Sequence, residues 1–155
     1  MVIGIAQSFC VVLACFFACC STQDPCVDYK LISDPYRSTG YQWKQGTKAI
    51  CDHDLAAGYY RFNSSAGNMM PTSKPKPNHC GTHYPVWMEG SHPDKRSFPM
   101  KANYVCYDYH GHQVCPFRIF VYYCRAEDFY VYNLQPISRG CPMAYCAGIS
   151  YHCFL

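Results

Sequence analysis

Apolar residues run without a charged interruption through the first part of the chain. From Met1 to Ser21 there is no Asp, Glu, Lys or Arg, and the stretch from Phe9 to Cys20 is continuously apolar. Small residues follow, as at the cleavage site of a secretory signal peptide. The pattern predicts a signal peptide over 1–20, cleaved between residues 20 and 22. Because the positive charge at its start is only the amino terminus, a retained N-terminal anchor is the alternative.

Beyond this segment, short runs of aromatic and β-branched residues alternate with turn residues, which is typical of strands. The runs are Gly58 to Phe62, Tyr84 to Met88, Arg118 to Cys124, Phe129 to Leu134 and Ala144 to Cys146. The third and fourth are separated by four residues, a spacing that predicts an antiparallel hairpin. The last is short and is predicted as an edge strand.

Other parts of the chain lack a regular pattern. Asp24 to Gly46 shows neither a helical nor a strand period and is predicted as ordered loop with short extended pieces. Pro71 to Pro77 (PTSKPKP) predicts an extended, polyproline-like loop. No amphipathic helix, internal repeat or domain boundary is found. We therefore predict one small, mainly β, disulfide-rich domain with antiparallel hairpins and long ordered loops.

The composition excludes several classes of protein. With 50% hydrophobic and 15% charged residues, the chain is neither disordered nor a coiled coil, and a net charge of +3 gives no reason to expect nucleic acid as a partner. Of 13 cysteines, four lie in the predicted signal peptide and nine remain. In an oxidising compartment these are expected to form disulfides, and the lack of Cys-x-x-Cys pairs argues against structural zinc.

Several stretches around these cysteines are typical of one family when they occur together. They include Asp24-Pro25-Cys26, Asp34-Pro35-Tyr36-Arg37-Ser38-Thr39, Cys51-Asp52, Cys80-Gly81-Thr82, Pro85-Val86-Trp87-Met88 and Cys141-Pro142-Met143-Ala144-Tyr145-Cys146. In their order and spacing they make the chain similar to the eight-cysteine extracellular domains of the uromodulin type. The resemblance covers residues 24–147, and residues 148–155 would form a short C-terminal tail.

The resemblance implies about four disulfides within one domain. The cysteines in the family register are Cys26, Cys51, Cys80, Cys106, Cys115, Cys124, Cys141 and Cys146. Their connectivity is left open, because eight cysteines allow many pairings. Cys153 is left over, so we expect it to be unpaired or to form an intermolecular bond, as in a disulfide-linked dimer.

The resemblance implies N-linked sugars on this domain, and in the protein after which the family is named one of them acts as a decoy for bacterial adhesins. One of the family's glycosylation positions reads Glu89-Gly90-Ser91 here and has no asparagine. The one Asn-x-Ser/Thr motif of the chain begins at Asn63, in a predicted turn. We therefore predict N-glycosylation at Asn63 and do not transfer the family's decoy role directly.

Candidate catalytic and metal sites are weak. His110, His112 and Cys115 have ligand-type side chains, but an extracellular Cys115 is expected to be in a disulfide. Asp52-His53-Asp54 has the residue types of an acid/base or calcium site, whereas a turn beside Cys51 is the simpler interpretation. No nucleophile motif is present. We predict no catalytic residue, no metal and no cofactor.

These observations predict a secreted, non-enzymatic interaction or matrix module with an extracellular protein or glycan partner. No membrane span is expected after signal removal. The expected recognition surface consists of the loops Cys51 to Gly58, Pro71 to Cys80 and Glu89 to Lys101. The alternative is a glycan-presenting decoy or a lectin-like defence protein. Whether the chain is a stand-alone domain or part of a longer protein is left open.

Overall fold

The computed structural model describes residues 23–96, 98–138 and 140–149. The predicted signal peptide and Cys153 lie outside the described residues. The strands are β1 Lys30–Ile32, β2 Gly58–Phe62, β3 Tyr84–Glu89, β4 Met100–Tyr109, β5 His112–Cys124, β6 Phe129–Leu134 and β7 Met143–Tyr145. A short 3-10 helix spans Pro35–Arg37. Within the described part of the chain, no helix is long and apolar enough to cross a membrane.

The strands form one sheet in the order β1-β2-β6-β5-β4-β3-β7. The four central pairings are antiparallel, while β1 and β7 add to the two edges in parallel. The mainly β prediction is therefore confirmed. The predicted hairpin is β5-β6, in which Cys124 pairs with Phe129 across a four-residue loop.

The longest hairpin, β4-β5, was not predicted as a whole. His110 and Gly111 form its two-residue turn with positive φ angles of 52° and 83°, as in turns that match the twist of paired strands. The pairing shifts between Val105 and Tyr107. Pro116 lies opposite this irregularity, where a residue without an N–H interrupts the ladder least.

One face of the sheet carries a core that is rich in aromatic side chains. Val105, Ile119 and Val121 point into it from the central strands. The buried tyrosines of the described chain are Tyr60, Tyr107, Tyr123, Tyr130, Tyr132 and Tyr145. On the opposite face, Cys26 and Tyr29 from the N-terminal loop pack against Phe129 and Val131. Tyrosine thus contributes much of the packing that long aliphatic elements supply in larger domains.

Four disulfides join the eight cysteines of residues 23–149. The bonds are Cys26–Cys124, Cys51–Cys141, Cys80–Cys146 and Cys106–Cys115. Three of them link segments 66 to 98 residues apart in sequence, and the fourth crosses the β4-β5 hairpin. Cys26 is thereby fixed to β5, and Cys51 and Cys80 are fixed to the two segments that flank β7.

Candidate recognition groove

Two of the three loops predicted as a recognition surface meet in the folded chain. Residues between Pro71 and His79 line an open groove, and His92, from the loop between β3 and β4, lies at the same groove. The loop from Cys51 to Gly58 does not line it. The structure therefore brings the second and third predicted loops together and leaves the first one apart.

The groove has a volume of about 870 Å³, within the range of ligand sites. Four described lining residues carry hydroxyl groups, namely Ser38, Thr39, Thr72 and Ser73. Its basic and imidazole side chains are Lys74, Lys76, His79 and His92. None of the described residues in the lining is acidic. The groove is therefore suited to a ligand that offers hydrogen-bond acceptors or negative charge.

Backbone pairing outside the named strands fixes the groove walls. Met69 and Gly148 exchange two backbone hydrogen bonds of 3.3 and 2.8 Å, and the Met88 N–H donates to the Pro71 carbonyl at 3.0 Å. Gly67 has a φ of 126°, and a side chain there would collide with the Gly148 carbonyl. Glycine is thus needed at this position both for its backbone conformation and for the close approach of the two segments.

His92 connects the groove to the core through a buried tyrosine. Its Nε2 lies 2.8 Å from the Tyr132 hydroxyl, which also accepts the Met70 N–H at 3.0 Å. Burial, together with the charge of Lys101, lowers the pKa of His92 to about 4, and burial raises the pKa of Tyr132. His92 is therefore neutral and Tyr132 protonated at physiological pH. The Tyr132 hydroxyl can then donate its proton to an unprotonated Nε2 of His92.

An ion pair ties the Pro71–Cys80 loop to the β4-β5 hairpin. The Lys74 ammonium donates to Oδ2 of Asp108, and Oδ1 of Asp108 accepts the Gly111 N–H at 2.7 Å. The hydrogen bond from Lys74 is the main reason that the pKa of Asp108 lies below its usual value. Asp108 thus stays ionised near neutral pH, and the positive charge of Lys74 at the groove is partly compensated.

A second, smaller cavity of about 270 Å³ lies beside the groove and shares only Pro75 with its lining, among the described residues. Next to it, five aromatic rings follow one another across the surface. We call this set the aromatic row; its members are Trp43, His83, Tyr84, Tyr109 and His110. The sequence analysis did not identify this row, because its members come from three distant segments.

Asp52 has a structural role that its sequence context did not reveal. The turn predicted beside Cys51 is present at His53 and Asp54, but Asp52 itself is buried and forms an ion pair with Arg37. Asp52 also accepts the backbone N–H of Tyr145 at 2.8 Å. No local pattern signals this contact, because the three residues lie far apart in the chain.

The two histidines considered as metal ligands do not converge with further ligands. Cys115 is bonded to Cys106, and both His110 and His112 are exposed at the hairpin turn. No group of three or more potential metal-ligating side chains occurs within residues 23–96, 98–138 and 140–149. Asn63, the predicted glycosylation position, is exposed directly after β2. Its accessibility is compatible with attachment of a sugar.

A family model and individual known proteins both relate the chain to uromodulin-like proteins. A family model for the uromodulin-like domain of eight cysteines matches residues 60–147. Uromodulin of Rattus norvegicus is 35% identical over 134 residues, which cover 80% of this chain and 18% of that protein. The pancreatic secretory granule membrane major glycoprotein GP2 of Canis lupus familiaris is 32% identical over 129 residues, 82% of this chain and 24% of that protein. The chain thus spans about a fifth of the length of these relatives.

Proposed function

Since the chain belongs to the family of uromodulin-like eight-cysteine domains, we propose that it acts as a secreted, non-enzymatic interaction module in the extracellular space. Four disulfides support an oxidising, extracellular environment, because such bonds are rare in reducing compartments. The name of the second relative places that protein in secretory granules. The relatives therefore favour the same general compartment for this chain.

The single observation that carries the proposal is the groove between the Pro71–Cys80 loop and His92. Its volume of about 870 Å³, its hydroxyls and the lack of acidic side chains among its described lining residues suit a polar extracellular ligand. Its walls are held by backbone pairing and by the nearby Cys80–Cys146 disulfide. A wall that is rigid before binding loses little entropy on binding, which favours recognition. The partner is accordingly an extracellular protein or glycan.

Serine variants on two surfaces test the role of the groove. Ser73 lies in the groove, whereas Ser33 is exposed after β1 and outside it. We expect labelled protein to bind saturably to cell-free extracellular matrix from cultured epithelium. Ser73→Glu adds bulk and a negative charge to the groove and should weaken that binding at least about tenfold, while Ser33→Glu should bind like the wild type. Equal binding of the two variants, or no saturable binding, would show the groove proposal to be wrong.

Exposure of Asn63 favours a second candidate, a glycan-presenting decoy. The residue is exposed directly after β2, so an attached sugar would project into solvent. Enzymatic removal of N-glycans distinguishes the two functions. A decoy would lose its partner on deglycosylation, whereas a module that binds through the groove would keep it. Asn63→Gln supplies the same comparison without enzyme treatment.

A further inference from the structure

We propose that the aromatic row and the 270 Å³ cavity beside it bind a neutral oligosaccharide, with one hexopyranose ring in the cavity. This site is separate from the groove of the proposed function, since the described residues of the two linings share only Pro75. Its test is therefore independent of the partner that the groove recognises.

Neighbouring rings of the aromatic row contact one another at an angle and form a faceted aromatic surface. The centroids of Trp43 and His83 lie 4.0 Å apart with an interplanar angle of 51°, those of Tyr84 and Tyr109 6.1 Å apart at 37°, and those of Tyr109 and His110 4.4 Å apart at 76°. Tyr109 keeps 45% of its surface exposed, so its ring is accessible to a ligand. Aromatic faces pack well against the C–H surfaces of sugar rings, while their polar edges remain available for hydrogen bonds.

Polar groups at the cavity complement this surface. Asp108 lines the cavity as an ionised carboxylate that accepts hydrogen bonds from Lys74 and Gly111. A carboxylate has about four acceptor positions, which leaves room for ligand hydroxyls. Asn78 also lines the cavity and carries a carboxamide, which can both donate and accept. An aromatic wall with a carboxylate and a carboxamide presents both the apolar and the polar contacts that a sugar needs.

The site is also rigid. The backbone N–H of Trp43 donates to the Asn78 carbonyl at 2.7 Å, and the backbone N–H of Asn78 donates to the His83 carbonyl at 3.3 Å. The Cys80–Cys146 bond fixes this loop, and the Cys106–Cys115 bond fixes the hairpin that carries Tyr109 and His110. Prior ordering of the two sides lowers the entropic cost of binding a small ligand.

A proline-rich peptide is the other ligand that aromatic surfaces commonly bind. Proline has no backbone N–H and therefore cannot donate to Asp108, which as a carboxylate only accepts. Moreover, Pro75 and Pro77 are part of the cavity lining, so proline rings of the protein itself already lie at this site. An acidic sugar would place its charge near the ionised Asp108. A neutral, hydroxyl-rich ligand fits the cavity best.

Intrinsic fluorescence tests the site directly, because the chain has two tryptophans and both are close to it. Trp43 is the first ring of the aromatic row, and Trp87 lines the cavity. Maltotriose, cellotriose and triacetylchitotriose are titrated into the secreted protein with its disulfides intact. We expect a saturable fluorescence change with at least one of the three.

Two tyrosines of β4 provide a matched pair of variants. Tyr109 belongs to the aromatic row, whereas Tyr104 is outside it, and the two are 45% and 42% exposed. Tyr109→Ala should weaken binding about tenfold, and Tyr104→Ala should leave it unchanged.

Asn78→Gly, which retains the left-handed backbone at φ 59°, should also weaken binding several-fold. Unchanged disulfide pairing, checked by non-reducing mass spectrometry, confirms that each variant is folded.

Three results would overturn the proposal. The first is the absence of a saturable change with every trisaccharide at millimolar concentration. The second is equal weakening in Tyr109→Ala and Tyr104→Ala, which would mean a general rather than a local effect. The third is saturable binding of a decaproline peptide without binding of any sugar, which would identify the row as a peptide site.

Discussion

The guanidinium of Arg37 forms two parallel hydrogen bonds with the carboxylate of Asp52, both of 2.7 Å, and the two side chains are only 9% and 3% exposed. The same residues contact both backbone groups of Tyr145 in β7: Arg37 donates to its carbonyl at 3.0 Å and Asp52 accepts its N–H at 2.8 Å. The pair therefore joins the 3-10 helix, the segment after Cys51 and the edge of the sheet.

Removing one member of this pair should destabilise the fold strongly. Arg37→Met leaves the Asp52 carboxylate buried without a counterion, which typically costs about 3–5 kcal/mol. Guanidinium unfolding at pH 7, with disulfides intact, measures the loss. The double variant Arg37→Met/Asp52→Leu removes both charges and should regain much of the stability. A double variant no more stable than the single one would contradict the explanation by an unpaired charge.

Acid should weaken the fold through His92. Its pKa is 6.5 in the unfolded chain and about 4 in the folded protein, so between these values only the unfolded state binds the proton. The contribution of His92 to the free energy of unfolding is fully present above pH 6.5 and is lost progressively as the pH falls toward 4. Between pH 7 and 5 the loss should be about 2 kcal/mol.

Unfolding curves at a series of pH values measure this effect. His92→Gln should flatten the stability profile between pH 7 and 5. His79→Gln, a second imidazole at the groove, serves as the control and should retain the fall. A fall of equal size in both variants would assign the pH dependence to other groups.

Local patterns predicted part of this fold well. Gly58–Phe62 and Phe129–Leu134 are strands with the bounds that their β-branched and aromatic runs indicated, because each run pairs with a near neighbour or ends at a clear turn. β4 escaped prediction, since Lys101, Asn103 and Asp108 interrupt its apolar pattern. Asn103 is nevertheless buried, opposite Ile119 in β5.

Long-range contacts set the limit of prediction for the site. The Pro71–Cys80 loop was identified as a candidate surface from its composition, but its meeting with His92 depends on how β3 and β4 pair. The aromatic row depends on three segments that meet only in the folded chain, and the Arg37–Asp52 pair has no periodic signal in the sequence. Such contacts follow from sheet topology, which residue spacing alone leaves open.

The four disulfides should contribute unequally to stability. In the chain-entropy account, a bond closing a longer loop restricts the unfolded chain more. Cys26–Cys124 spans 98 residues and Cys106–Cys115 spans 9. Replacing the first pair by alanine should cost about 4.7 kcal/mol, and replacing the second about 2.6 kcal/mol. Urea unfolding of the two double variants tests this order. A smaller loss of stability for Cys26→Ala/Cys124→Ala than for Cys106→Ala/Cys115→Ala would contradict the prediction.

Asn63 should carry an N-glycan when the protein is secreted from mammalian cells. The side chain is exposed after β2, and Ser65 supplies the hydroxyl that the acceptor motif requires. Treatment with an N-glycanase should increase electrophoretic mobility, and Asn63→Gln should abolish that shift. Asn68→Gln, an exposed asparagine outside any acceptor motif, should leave the shift in place. Persistence of the shift in Asn63→Gln would place the sugar elsewhere.

Cys153 should be the cysteine that reacts between chains. All eight cysteines within residues 23–149 are bonded to one another, so none of them is available to pair with Cys153. After removal of the predicted signal peptide, Cys153 is the remaining thiol of the sequence. Secreted wild-type protein should therefore show a reducible dimer, or a small-thiol adduct on a monomer, and Cys153→Ser should remove both. Mass spectrometry under non-reducing conditions distinguishes these forms. A bond between Cys153 and any of the eight would instead show that one of the four intrachain pairs exchanges in the secreted protein.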